Sequence, residues 1–177
     1  MPSVGHVAVG LVAARVTHAP ERWRGATWAT LLVVASCLPD VDVVAFSLGI
    51  PYQAPFGHRG ALHSLAFAAL CGLLLGLIAW SMDLPRSRLG LTAAVVMASH
   101  GLLDTLTDGG LGIALFRPFS EARYFAPWRP IPVAPIGRRL LAANGLHLML
   151  HECILFLPLF VVGLWPRVKG RHATAAR

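Results

Sequence analysis

Three short blocks of the chain concentrate side chains that bind metals or move protons: "LPDVD" (38–42), "HRGALHS" (58–64) and "SHGLLDTLTDGG" (99–110). They supply Asp40, Asp42, His58, His63, His100 and Asp104, with Arg59 as a fixed cation among them. Imidazole and carboxylate are the donor types that hold zinc, iron or manganese. A carboxylate can also orient a ligand histidine through its second ring nitrogen. His100 and Asp104 are four apart and share one helix face, with Thr107 on the same stripe. His147 and His151 form a second pair at that spacing. His58 and His63, five apart, fit a loop residue folding back over the first turn of a helix. Each piece also has a plainer reading. His100 and Asp104 could make a local hydrogen bond, Asp42 could cap a helix, and Arg59 could snorkel to lipid phosphate. His147 and His151 could be interfacial histidines, and Thr107 with Asp108 an ordinary helix end.

The elements that carry these residues are apolar. Of 177 residues, 56% are hydrophobic and 13% charged, with mean hydropathy +0.65. A soluble domain of this size carries about 25% charged residues. A membrane helix needs about 20 mostly apolar residues, and four segments qualify: 27–48, 61–82, 89–107 and 145–165. The run 3–14 is shorter, and residues 1–20 are read as mature protein, not as a cleaved signal. The expected fold is an all-α integral membrane protein with about four transmembrane helices and a short N-terminal apolar helix. Residues 1–166 are expected to form a single helical membrane domain. Within it, 117–143 is an interfacial loop rich in proline, arginine and aromatic residues, and 167–177 is a basic tail. Cys37, Cys71 and Cys153 lie inside apolar runs with no Cys-x-x-Cys, and read as small buried apolar residues. The net charge of +7 is assigned to basic helix flanks, so no nucleic-acid partner is expected.

Alternating spans put residues 15–25, 83–88 and 166–177 on the more basic, cytoplasmic side. His6, Asp40, Asp42, His58, His63, His100, Asp104, His147, His151 and Glu152 then all fall toward the other face. Ionisable groups inside a span are costly and usually face protein, water or one another. Residues from every helix at one depth point to a shared polar site near that non-cytoplasmic face. Such a site would also tolerate the break at Pro39.

The three blocks, in this order and followed by "RPFS" (117–120), resemble the YdjM/YbcI-like family of membrane-bound metal-dependent hydrolases. The family is also described as LexA-binding and inner-membrane-associated. The resemblance runs from about His6 to Glu152. It implies a helical bacterial inner-membrane protein with a metal-dependent hydrolytic site, and a possible contact with LexA. The family's residues carry over as Asp40, Asp42, His58, Arg59, His63, Ser64, His100 and Asp104, with His6 as the early histidine and Glu152 as the acid of the last helix. Leu62 departs from the threonine expected in "HRGxTHS".

The expected chemistry is hydrolysis of an ester or phosphoester in an amphipathic or lipid-linked substrate reaching the site from the bilayer. One or two divalent ions, zinc first, would be held by Asp40, His63, His100 and Asp104, with His58 and His6 as further ligands. Asp42 or Glu152 would serve as general base, and Arg59 would meet negative charge on the substrate. Tyr124, Phe125 and Trp128 could cover the mouth or simply anchor the loop. The alternative is a metal-ion or proton-coupled transporter using the same cluster. A haem or quinone protein would not need Asp40, Asp42 and Asp104. A phosphatidic-acid-phosphatase-like site would need a "PSGH" block that the chain lacks.

Overall fold

The computed structural model describes residues 3–21, 23–134 and 143–166. Helix α1 (Ser3–Val16) turns through "THAPE" into α2 (Gly25–Cys37). Where Pro39 removes a backbone donor, α2 tightens into a 3-10 stretch, Leu38–Val43, and resumes as α3 (Val44–Ser47). The three pieces form one continuous helix, Gly25–Ser47. The break expected at Pro39 is therefore a change of pitch. A loop then leads to a 3-10 turn, Ala61–His63, and to α4 (Leu65–Ser81). Ser64 starts α4 by accepting the Phe67 amide on its hydroxyl. Helix α5 (Arg86–Asp104) follows a tight turn, then α6 (Ala143–Leu155) and α7 (Leu157–Leu164). Pro158, in the first turn of α7, accompanies a 60° bend between α6 and α7.

Helix α4 packs along α5, α1 along α2, and α7 along α1, while α2 crosses α5. Two buried clusters anchor this arrangement. Ala14, Trp28, Leu32, Ala79, Leu89 and Val96 fill one end, where Trp28 Nε1 also donates to Thr17 Oγ1 at 2.9 Å. Ala8, Ile131 and Phe156 fill the other. Among the described residues there is no strand. Isolated bridges, Thr107 with Ile131 and Ile113 with Tyr124, fold the segment after α5 back over its C-terminal end.

The chain is all-helical, but four full spans are not confirmed. Among the described residues, Gly25–Ser47 is the one helix long and apolar enough to cross a membrane, and the bent pair α6–α7 qualifies only if counted together. Helices α1 and α4, of 14 and 17 residues, are apolar but short. Helix α5 is long enough but carries Arg86, Arg88, His100 and Asp104, which lower its hydropathy. Large apolar side chains nonetheless cover the outside, among them Leu73, Ile78 and Trp80 on α4. The cysteines also depart from expectation: Cys37 and Cys71 are half-buried, and Cys153 is exposed. The parts of the loop and tail at 135–142 and 167–177 lie outside the described residues.

Candidate metal centre

Helix directions bring the three blocks to one end of the bundle. His6 lies near the start of α1, and Asp40 and Asp42 lie in the 3-10 stretch beyond α2. His63 ends the 3-10 turn one residue before α4, and His100 with Asp104 occupies the last turns of α5. His6, His58, Arg59, His63, His100 and Asp104 are at most 2% exposed, and Asp42 is 5% exposed.

Four donors converge: Asp40, His63, His100 and Asp104 each offer a ligand atom, all within 4.8 Å of one another. His63 Nε2 lies 3.0 Å from His100 Nε2. Asp40 Oδ1 is 3.5 Å from both nitrogens, and Asp104 Oδ2 is 3.4 Å from His63 Nε2. Donors about 2.0–2.1 Å from a common tetrahedral centre stand about 3.3 Å apart, so this spacing suits one small ion.

The partner on the far side of the His100 ring sets its tautomer. His100 Nδ1 is 2.7 Å from the Ser36 carbonyl, which can only accept, so Nδ1 carries the proton. In the neutral ring, His100 Nε2 then presents its lone pair to His63. His63 Nδ1 faces Asp42 Oδ2 at 3.0 Å, off the alignment of a hydrogen bond. At 3.0 Å the two nitrogens need either a proton on His63 Nε2 or a cation between them. Asp40 Oδ1 and both oxygens of Asp104 are buried with no hydrogen-bond partner. Buried polar atoms are normally satisfied, so orphaned oxygens facing paired imidazoles fit a divalent cation. The mixed nitrogen and oxygen set suits zinc, and also iron or manganese.

A second group, Asp40, Asp42, His58 and His63, also meets the spacing for a metal. Its main contacts, however, are hydrogen bonds. Asp42 accepts from His58 Nδ1 at 2.6 Å and from the Arg59 amide at 2.9 Å. Those bonds make Asp42 an organiser of the loop. Helix α3 has no side-chain cap, so Asp42 does not cap it.

Arg59 is fully buried, so it does not snorkel to the surface. Its φ of 59° is left-handed, a costly conformation for a non-glycine residue. The Asp42 bond to its amide and the Ala114 amide on its carbonyl hold it there. Its Nη1 donates to the Gly109 carbonyl at 2.7 Å, Nε sits 3.3 Å from Asp104 Oδ2, and Nη2 has no partner.

His6 stacks on His100 with ring centroids 3.6 Å apart, and its Nε2 is 3.4 Å from Asp104 Oδ1. It therefore flanks the four-donor group and is not among the residues that meet its spacing. Glu152 is buried and accepts the Val4 amide on Oε2 at 3.1 Å, satisfying an otherwise free donor in the first turn of α1. His147 and His151 are exposed on α6 and are not among the residues that meet a metal spacing. The Thr107 hydroxyl donates to the Asp104 carbonyl at 2.8 Å and closes the end of α5.

Sequence reasoning missed three supporting features. Arg123 donates to the carbonyls of Tyr52, His58, Arg59 and Gly112, pinning the long loop onto the site. No local pattern separates it from the other loop arginines. Tyr52 lies beneath it, where burial pushes its phenol up while Arg59 and Arg123 draw it back. Gly101 did carry a signal, as a glycine inside a helical pattern next to His100. A Cβ there would sit 2.3 Å from the His63 carbonyl oxygen, so only glycine lets α5 approach the turn that carries His63. Gly101→Ala is expected to destabilise the protein by about 1–3 kcal/mol and to displace His63. Thermal unfolding and metal content measured on one preparation would check both effects. An unchanged unfolding temperature would mean that the turn shifts at no cost.

The chain matches the family described as YdjM inner membrane protein over residues 1–170. It is 43% identical over 108 residues to the Escherichia coli K12 protein named inner membrane protein YbcI. That match covers 59% of this chain and 61% of the relative, so the alignment spans about three fifths of each. No solved structure matches.

Proposed function

The chain belongs to the YdjM inner membrane protein family, and we propose that it is a multi-pass inner-membrane hydrolase that cleaves an ester or phosphoester with a divalent ion. The observation that carries this reading is the buried convergence of Asp40, His63, His100 and Asp104, with orphaned carboxylate oxygens facing paired imidazole nitrogens. Exposed apolar faces on α4 and α6–α7 support lipid contact, with shorter helices accommodated by local thinning. By loop charge, the site lies toward the non-cytoplasmic face.

Asp40, His63, His100 and Asp104 would hold the ion. When bound, the ion supplies a Lewis acid that lowers the pKa of water toward about 7 and polarises the scissile group. The chain's own residues do the rest. The Ser36 carbonyl fixes the His100 tautomer, and Asp42 holds His58 and the Arg59 backbone while facing His63. The free Nη2 of Arg59 offers a buried donor to negative charge developing on the substrate. Zinc is the first choice of metal, and a lipid-linked substrate is favoured because the helices around the site carry exposed apolar faces.

Elemental analysis of detergent-purified protein tests the reading, with wild type beside His63→Ala and His100→Ala. Near-stoichiometric zinc, iron or manganese in wild type is expected, falling below a tenth in both variants while they remain folded. Chelation should abolish hydrolysis of a phosphoester and ester panel, and reloading should restore it. Wild-type protein that takes up no metal even on reloading would overturn the proposal.

A further inference from the structure

Beside the His58–His63 loop lies a cleft of about 270 Å³. Its walls include Phe56, Ser64, Phe67 and Leu70, together with Arg117 and Pro118. Phe56 is 65% and Leu70 51% exposed, an apolar rim that water would penalise. The cleft is not part of the cluster, although Ser64 directly follows His63 in sequence.

The Arg117 side chain is only 12% exposed, and its Nε is buried with no hydrogen-bond partner. Its only ion pair among the described residues is with Glu121, at 3.5 Å, and that carboxylate is 85% exposed. Such a surface pair holds little energy. An under-neutralised guanidinium lining an apolar cleft matches an anion attached to a hydrocarbon chain. Small-molecule sites typically enclose about 300–1,000 Å³, so this cleft takes a chain segment and a headgroup contact, not a whole lipid.

The geometry points to a phospholipid site: the acyl chain lies along Phe67 and Leu70, and an anionic headgroup phosphate pairs with Arg117. Guanidinium forks suit phosphate oxygens, and Arg117 Nη2, held only by the exposed Glu121 carboxylate at 3.5 Å, is the atom to exchange partners. The site is a place of retention and does not rest on the hydrolytic reading, since neither Phe67, Leu70 nor Arg117 belongs to the metal cluster.

Native mass spectrometry of the full chain tests this. The detergent-purified protein is titrated with dioleoylphosphatidylglycerol or with dioleoylphosphatidylcholine. Wild type is expected to retain one phosphatidylglycerol at concentrations at least tenfold below those needed for phosphatidylcholine. Arg117→Gln should lose that preference. Arg129→Gln, which removes an exposed loop arginine stacked on Phe125, should keep it. Leu70→Trp, which narrows the cleft without touching the charge, should weaken retention of both lipids. Equal retention of the two lipids by wild type would overturn the site. So would a preference that survives Arg117→Gln, or one lost equally in Arg129→Gln, which would indicate diffuse loop charge.

Discussion

Asp104→Asn is expected to cost about 3–5 kcal/mol of stability and to strip the metal at the same time. The carboxylate is fully buried and faces Arg59 Nε at 3.3 Å, His63 Nε2 at 3.4 Å and His6 Nε2 at 3.4 Å. Asparagine keeps the volume but removes the charge. It leaves the Arg59 guanidinium buried without a counter-charge, and breaking one side of a buried pair costs on that scale. It also replaces an anionic ligand by a weak neutral one. Thermal unfolding in detergent and metal content report the two losses separately. The double variant Arg59→Met/Asp104→Asn removes both charges and is expected to recover most of the stability but none of the metal. If the single variant unfolds at the wild-type temperature, Arg59 has another counter-ion and this account of the pair is wrong.

Asp42→Asn is expected to weaken metal binding about 10–100-fold, the usual cost of losing a partner that orients a ligand. Two readings of Asp42 compete, and this variant separates them. As a general base, Asp42 would leave affinity unchanged and lower turnover alone. As an organiser, it holds His58 and the Arg59 amide while facing His63 Nδ1. Its loss then frees His58, whose ring packs edge-on against the ligand His63, and releases the left-handed Arg59 backbone together. The geometry favours the organiser, because both Asp42 oxygens accept hydrogen bonds within the protein. Competitive metal titration against a chelator gives the affinity, and single-turnover hydrolysis at saturating metal gives the chemical step. Unchanged affinity with slowed turnover would return Asp42 to the role of base.

The His/Asp cluster was legible in the sequence because charge inside an apolar helix has few tolerable explanations. Asp40, Asp42, His100 and Asp104 stand out against 13% charged residues, and the three blocks carry the family resemblance. The all-helical class was legible for the same reason, since long apolar runs leave few other structures. The expected four spans are not confirmed, because a span needs unbroken length and few charges, and α4 stops after 17 residues while α5 carries Arg86, Arg88, His100 and Asp104.

Sequence spacing alone determined that His100 and Asp104 share a face, because helix geometry fixes neighbours four residues apart. Tertiary structure alone decided the division of labour among the remaining groups. Asp40 and Asp42 are two residues apart, yet one points to the paired imidazoles and the other to the His58–Arg59 loop. The 3-10 pitch of residues 38–43 separates their directions. His147 and His151 keep helical spacing but face outward, while Glu152, one residue on, turns inward to the amide of Val4. Which face of α6 is buried depends on how it packs against α1, a long-range contact that local spacing does not encode.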